Sequence, residues 1–146
     1  MNEIIIADLD GTIALDHGRA KTYLHSGERD WDAYFDHCHE DLPNSKIIDL
    51  LCEFSEICHI WIFSGRVQRT REVTGKWLEH HGVPYNNLLM RADGDRTQDF
   101  ELKIRWAIEF GMTPEAVWFI LEDRKRVVEA WRAAGYTCLQ VAAGEF

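Results

Sequence analysis

Ile4-Ile5-Ile6-Ala7-Asp8-Leu9-Asp10-Gly11-Thr12 is the stretch on which the fold turns. Four consecutive apolar residues read as a short strand buried on both faces, the pattern of a parallel sheet. The run ends on two carboxylates two residues apart, which an extended backbone directs to the same side. Two buried carboxylates side by side repel, so one of them rises in pKa unless a cation intervenes. Such a pair suits either a hard divalent metal or acid–base work. Gly11 permits a sharp exit from the strand, and Thr12 can hold the loop by hydrogen bonding.

Outward from this stretch the same punctuation repeats. Ile60-Trp61-Ile62-Phe63 and Val117-Trp118-Phe119-Ile120-Leu121 read as further buried strands, with Leu88–Met90 and Tyr136–Val141 as weaker ones. Helical patterns lie between them. Asn44 is placed to cap a helix carrying Ile47, Ile48, Leu51 and Phe54. Others are predicted over Gln68–His81, Asp99–Phe110 and Lys125–Ala134, stopped by Gly82, Gly111 and Gly135. Strands alternating with helices predict an α/β fold, a Rossmann-like parallel sheet flanked by helices. Right-handed crossovers then bring every strand's carboxyl end to one edge, where open α/β sheets bind ligands. Residues 16–43 fit the alternation poorly. They read as a flap or minimal cap after the first strand, with one short helix near Trp31–Cys38, or else as a solvated surface excursion.

The chain has 146 residues, 46% of them hydrophobic, which is enough for one domain with a real core. No apolar run approaches the length of a membrane span, and no basic start with a long apolar stretch marks a leader. The expected compartment is therefore the cytoplasm, with no membrane partner. Sixteen Lys and Arg against 25 Asp and Glu give a formal charge of -9. That sign argues against wrapping long duplex nucleic acid, though not against holding one short end. Cys38, Cys52, Cys58 and Cys138 match no zinc spacing and read as reduced thiols, mostly buried. His37-Cys38-His39 reads as a surface turn or helix face, since sequence neighbours rarely point at one metal.

Three more polar clusters fall at the predicted edge. Ser64-Gly65-Arg66 follows the second strong strand and offers a hydroxyl, backbone N–H groups and a guanidinium, a set that matches a tetrahedral oxyanion. Glu122-Asp123-Arg124 follows the third and adds carboxylates. Lys103 in the third helix can neutralise phosphate and carboxylate together. Alone, each has a plain explanation as a turn, a helix start or a surface lysine. Their joint placement is hard to obtain by chance.

Asp8-Leu9-Asp10-Gly11-Thr12, Ser64, Lys103 and Glu122-Asp123 resemble the four motifs of the haloacid dehalogenase superfamily. More finely, the chain resembles the 3′-phosphatase domain of phage-type polynucleotide kinase/phosphatase over nearly its whole length. The matching stretches are Gly18-Arg19, Phe63–Arg66, Met90-Arg91, Gly94-Asp95-Arg96, Asp99, Lys103, Asp123-Arg124, Val127-Val128, Trp131-Arg132, Cys138, Gln140–Ala142, Gly144 and Phe146. Two departures stand out: Glu122 replaces the usual aspartate, and no G-x-x-x-x-G-K-[ST] occurs, so 5′ phosphorylation is not expected of this chain.

The resemblance implies a single phosphatase domain over residues 1–146. It implies a Mg²⁺-dependent phosphomonoesterase that removes 3′-phosphate from DNA or RNA ends through an aspartyl phosphate. Asp8 would be the nucleophile and Asp10 the general acid and base. Ser64 and Lys103 would hold the phosphoryl oxygens, and Arg19, Arg66, Thr12, Gly65 and Asp99 would contact substrate. Asp8, the Asp10 carbonyl and Asp123 would hold Mg²⁺, with Glu122 contacting it directly or through water. Trp31, Tyr34 and Phe35 would stack on a terminal base or, for at least two of them, pack the flap. Only the terminal nucleotides would be held, and a homo-oligomer is left open. Two alternatives stand beside this reading, a phosphatase of mononucleotides or other small phosphoesters and an inactive binding module of the same fold.

Overall fold

The structure is a computed structural model that describes residues 3–16, 18–24 and 29–145. Phe146 lies outside the described residues. In chain order the elements are β1 (Ile4–Ala7), β2 (Ala14–Leu15), α1 (Arg19–Tyr23), α2 (Trp31–Asp36), β3 (Leu42–Pro43), α3 (Ser45–Phe54), β4 (His59–Val67), α4 (Arg71–His80), β5 (Asn87–Arg91), α5 (Asp99–Glu109), β6 (Val117–Arg124), α6 (Lys125–Ala133) and β7 (Cys138–Gly144). Five strands form one parallel sheet in the order β5-β4-β1-β6-β7. β1 is central, and Ala7 pairs with Ile62 on one side and Leu121 on the other. The next residue, Asp8, donates its N–H to the Leu121 carbonyl at 2.9 Å. The ends of β1, β4 and β6 therefore meet at one edge.

The two-residue alternation of a strand splits the core into two layers. Ile5 and Ala7 face one layer with Ile60, Ile62, Leu51, Trp77 and Leu78, covered by α3 and α4. Ile6 faces the other with Phe63, Leu102, Trp106, Val127, Val128 and Trp131, covered by α5 and α6. The three predicted stop glycines, Gly82, Gly111 and Gly135, all take positive φ just past their helices. No helix among the described residues is long and apolar enough to cross a membrane.

Several boundaries differ from the reading of the sequence. β4 continues through Ser64-Gly65-Arg66 to Val67, where an end at Phe63 is predicted, and its register against β5 shifts between Ser64 and Val67. β6 likewise runs through Glu122-Asp123-Arg124. Pairing with a neighbour extends both strands past the last apolar residue. The insert holds α2 and a 3₁₀ turn at Cys38–Glu40 near the predicted helix, and also α1, which the sequence reading lacks. The Asp16 carboxylate starts α1 by accepting the N–H groups of Arg19 and Ala20. β2 and β3 pair as a small antiparallel ribbon at the base of the insert. Asn44 stands at the cap position of α3, but its side chain is turned away and donates to the Thr12 carbonyl at 3.0 Å. Three of the four free cysteines are buried, and Cys52 is exposed.

Trp131 fills the layer beneath α5 and α6, with its ring 4.9 Å from Tyr136 and 6.2 Å from Phe63. Its indole N–H is buried with no hydrogen-bond partner among the described residues. Trp131→Ala is expected to cost about 3–5 kcal/mol in urea unfolding. Trp131→Phe is expected to cost markedly less, because it removes the unpartnered donor along with part of the ring. Equal losses for the two variants would contradict this packing.

Candidate active site

The loop after β1 is folded tightly on itself. The N–H groups of Ile13 and Ala14 both donate to the Leu9 carbonyl at 2.9 Å, and the Gly11 N–H donates to the Ala14 carbonyl at 2.8 Å. Gly11 has φ +88°, and a Cβ there would lie 2.1 Å from Asp123 Oδ2. Glycine is thus required twice at this position, for the turn and for the close approach of β6. The buried Thr12 hydroxyl lies 3.4 Å from Asp8 Oδ2 and 3.3 Å from Asp123 Oδ1, its single proton shared between the two carboxyls. Thr12, expected among substrate contacts, is placed between two carboxylates and acts as a strut.

Around Asp8 the structure gathers one cation and several acids. Lys103 Nζ is 2.6 Å from Asp8, 2.8 Å from Glu122 and 3.3 Å from Asp99. An ammonium has three donors, and here three carboxylates face it. Asp99 sits in the first turn of α5 rather than capping it, and Gln98 takes the cap position. One turn separates Asp99 from Lys103. Glu122 is fully committed, since Oε2 accepts from Lys103 and Oε1 accepts the N–H groups of Asp123 and Arg124 at 3.1 and 3.2 Å. Asp8, Glu122 and Asp123 each place a carboxylate oxygen within 4.8 Å of the others. Burial, followed by the Glu122 charge, pushes the Asp8 carboxyl well above the ordinary range. Burial and then the facing Asp8 charge push Asp123 up to about 7, and burial pushes Glu122 up to about 7. An all-oxygen donor set with surplus negative charge in a nearly dry place fits a hard divalent cation such as Mg²⁺.

Asp10 belongs to a different network. Its carboxylate accepts from Arg66 Nη2 at 2.8 Å and Arg19 Nη2 at 3.0 Å. Burial alone would raise this carboxyl, but the two guanidinium groups outweigh it and hold Asp10 below the ordinary range. Arg19 and Arg66, expected to contact substrate, are instead almost wholly buried, at 2% and 0% exposure. Both guanidinium groups are spent on Asp10 and on Asp41, a residue that the sequence reading passes over. Arg19 donates to Asp41 at 2.5 and 2.6 Å, and Arg66 donates to it at 3.0 Å. The resemblance implies a substrate contact for both arginines, and in the substrate-free protein their donors meet these carboxylates. The only signal for Asp41 was an acid directly before Leu42-Pro43, where a strand and a helix cap follow.

Ser64 lies at the same edge, buried, with its hydroxyl accepting the Arg66 N–H at 3.1 Å. A Cβ on Gly65 would lie 2.6 Å from Asp99 Oδ1, so this glycine lets α5 approach β4. Its carbonyl accepts Arg91 Nε at 3.0 Å, and Arg91 also holds the carbonyls of Asp95 and Thr97 at 3.2 and 2.6 Å. Arg91 thus staples the loop of residues 92–98 to the edge. The closing string serves Asp123: Gln140 donates to its carbonyl at 3.1 Å, and a Cβ on Gly144 would meet that oxygen at 2.5 Å. In the insert, Tyr34 is buried with its ring 4.2 Å from the Arg19 guanidinium carbon, and Phe35 packs between Tyr34 and Trp31. Of the three aromatics, Trp31 is the most open, at 41% exposure.

Residues 2–146 match the family described as the polynucleotide kinase PNKP phosphatase domain. Among solved structures, the chain is similar to a chain of a Pnkp1/Rnl/Hen1 RNA repair complex, with 30% identity and a TM-score of 0.85. The match covers 100% of this chain and 44% of that one. A second structure of a Pnkp1/Rnl/Hen1 complex matches at 29% identity and a TM-score of 0.79, covering 100% and 48%. This chain therefore spans less than half the length of those relatives. A haloacid dehalogenase family enzyme of Bacteroides thetaiotaomicron, solved with magnesium and inorganic phosphate, shares the fold at 12% identity and a TM-score of 0.63, covering 100% and 97%.

The raised carboxyls carry a pH signature. Between about pH 4 and 7 the metal-free folded chain holds protons that the unfolded chain has lost, so its stability falls as pH rises through that window. A divalent cation competes with those same protons. Mg²⁺ at about 100 times its dissociation constant is expected to raise Tm by roughly 10 °C at pH 8 and hardly at all at pH 5. A gain equal at both pH values would place the ion elsewhere.

Proposed function

The chain belongs to the family of polynucleotide kinase PNKP phosphatase domains, within the haloacid dehalogenase superfamily, and we propose that this phosphatase removes the 3′-phosphate from nucleic-acid ends through an aspartyl phosphate on Asp8. One observation supports two separate roles: Asp8 faces Lys103 and the Glu122–Asp123 acids, whereas Asp10 faces Arg66 and Arg19. Which of the two is the nucleophile follows from the family resemblance, with the cation and the bound phosphate needed to ionise Asp8 and to bring a proton to Asp10.

A carboxylate oxygen of Asp8 attacks phosphorus, and the bond to the sugar oxygen breaks. Asp10 gives that oxygen a proton and then takes one from the water that hydrolyses the acyl phosphate. In the free protein Asp10 is ionised, so this proton is taken up as the substrate dianion binds against the pull of the arginines. Ser64 and Lys103 hold the phosphoryl oxygens. All three Lys103 donors face carboxylates, and Asp99, the most distant at 3.3 Å, is the one that yields to phosphate. Asp8, Asp123 and the Asp10 carbonyl would hold Mg²⁺, which supplies charge neutralisation between Asp8 and the phosphate. Glu122 acts through Lys103 and the two amides it accepts, leaving direct contact with the ion to Asp123. Residues 1–146 work as one domain, with the insert closing over Asp10.

The substrate assignment is supported by the family and by the membership of one structural relative in an RNA repair complex. The formal charge of -9 limits the contact to the terminal phosphate and one or two nucleotides. With about two phosphates neutralised, log K should change with log[salt] at a slope of about -1.4 on a single strand. Phosphate release is expected from oligonucleotides carrying a 3′ phosphate and hardly at all from the 5′ isomers, with little gain in kcat/KM beyond a few nucleotides. Equal rates at both ends would favour a phosphatase of small phosphoesters.

Asp8→Asn is expected to abolish turnover while leaving the fold intact by circular dichroism. Activity within tenfold of the parent would remove Asp8 as nucleophile. Glu122→Asp is expected to retain turnover. Glu122→Gln, which keeps the shape but gives Lys103 no charge, is expected to lower it.

A further inference from the structure

Asp41 lies outside every motif and sits at the end of the insert, between the 3₁₀ turn at Cys38–Glu40 and β3. Its side chain is wholly buried. Oδ2 accepts from Arg19 Nη2 at 2.5 Å and Arg66 Nη2 at 3.0 Å, and Oδ1 accepts from Arg19 Nε at 2.6 Å. The same two Nη2 atoms also donate to Asp10 Oδ1. Each guanidinium is therefore held between Asp41 on the inside and Asp10 on the outside. Of the four side chains only Asp10 reaches solvent, at 20% exposure against 2% or less for the others.

The outer faces of this group are fixed as well. Arg66 Nη1 donates to the Thr74 hydroxyl at 3.1 Å, and Arg19 Nη1 donates to the Tyr34 carbonyl at 2.5 Å. The Asp41 main chain is tied to α4, where the Trp77 indole N–H donates to its carbonyl at 2.9 Å. Buried ion pairs add little net stability over apolar replacements, so a four-charge group with one end at the cleft is better explained by orientation than by stability. The bonds at Asp10 are also uneven. Oδ1 accepts from both Nη2 atoms and, at 3.2 Å, from Arg66 Nε, which at 3.1 Å is the one donor to Oδ2 among the described residues. Oδ2 thus keeps room for a further hydrogen-bond partner.

We infer that Asp41 is a positioning residue for the reaction: it draws the two guanidinium groups back from Asp10, so that Asp10 Oδ2 stays available to the leaving oxygen of the substrate. Without the Asp41 charge, two cations converge on one carboxylate and occupy both of its oxygens. The inference rests on the proposed role of Asp10 as general acid, and it gives the insert a part in catalysis without any contact to substrate.

The choice of leaving group separates this role from a structural one. A sugar alkoxide needs a proton as it departs, whereas 4-nitrophenolate does not. kcat/KM reports the steps up to cleavage of that bond, so a defect in proton donation appears on one ester and not on the other. Asp41→Asn is expected to lower kcat/KM about 10²-fold on a 3′-phosphorylated oligonucleotide and less than tenfold on 4-nitrophenyl phosphate. Asp10→Asn, measured alongside, is expected to discriminate in the same direction, and the double variant should be no worse than Asp10→Asn alone. Equal losses on both esters for Asp41→Asn, with Asp10→Asn still discriminating, would overturn the inference and make Asp41 structural. Equal losses for Asp10→Asn itself would instead refute the role of Asp10. Should Asp41→Asn fail to fold, Asp41→Glu decides. It keeps the charge but pushes the arginines one methylene towards Asp10, so a selective loss of about tenfold on the oligonucleotide is expected, and an equal loss on both esters overturns the inference.

Discussion

Lys103 Nζ lies 2.6 Å from Asp8 and 2.8 Å from Glu122, and the rest of the site is arranged around that contact. One buried ammonium joins the end of β1, the end of β6 and the first turns of α5. It cannot reach these positions unless the strand ends are level, and the parallel order with β1 at the centre makes them so. Nor can the carboxylates be gathered there without it, because several acids in a nearly dry pocket repel one another. The close approaches at Gly11 and Gly65 follow from the same demand. Each lacks a Cβ where one would collide with Asp123 or Asp99.

A second network makes the first one useful. Were Asp10 to join the Lys103 cluster, it too would be driven upwards, and two adjacent acids would behave alike. Arg66 and Arg19 separate it instead and shift its carboxyl in the opposite direction, below the ordinary range. Arg19 comes from the start of the insert and Arg66 from β4, and Asp41 closes the group from the insert's far end. Residues 16–43 therefore contribute charge to a site whose four motifs all lie outside them.

Apolar patterning and partner-dependent chemistry were not equally legible in the sequence. β1, β4 and β6 are buried on both faces, so each appears as an unbroken apolar run, and the helices between them end at glycines that the pattern marks. Strand ends were less legible. Ser64-Gly65-Arg66 and Glu122-Asp123 have turn-like composition, yet ladder pairing carries them as strand, and composition holds no trace of a ladder. Asp8, Asp10 and Asp123 stand out because they directly follow apolar runs, and Lys103, inside a helix, stands out through its place in the four resembling motifs. The partners of Arg19, Arg66 and Thr12 are not legible in the sequence: each hydrogen-bonds a carboxylate that only the fold brings near. Asp41 escaped notice because its importance comes from two arginines distant in sequence. Asn44 looked like a plain helix cap, and only the fold brings the Thr12 carbonyl within its reach.

The same accounting resolves an apparent conflict between an acidic chain and an anionic substrate. Asp8, Asp10, Asp41, Asp99, Glu122 and Asp123 converge on the site, and the cations among them are Lys103, Arg19, Arg66 and Arg91. With every carboxylate ionised, six of them against these four cations leave a deficit of about two charges, which one divalent ion would offset in place of the protons that burial otherwise favours on Asp8, Glu122 and Asp123. With such an ion on Asp8 and Asp123, as proposed, a phosphate would meet a site near neutrality, whatever the charge of the remaining surface. Local charge at distances of a few ångströms governs the reacting group, while the surface charge acts through solvent and is screened beyond about 8 Å at physiological salt. Under the proposed function, a neutral, cation-dependent pocket in a chain of formal charge -9 would admit a terminal phosphate and repel the length of strand behind it, favouring ends over interior positions.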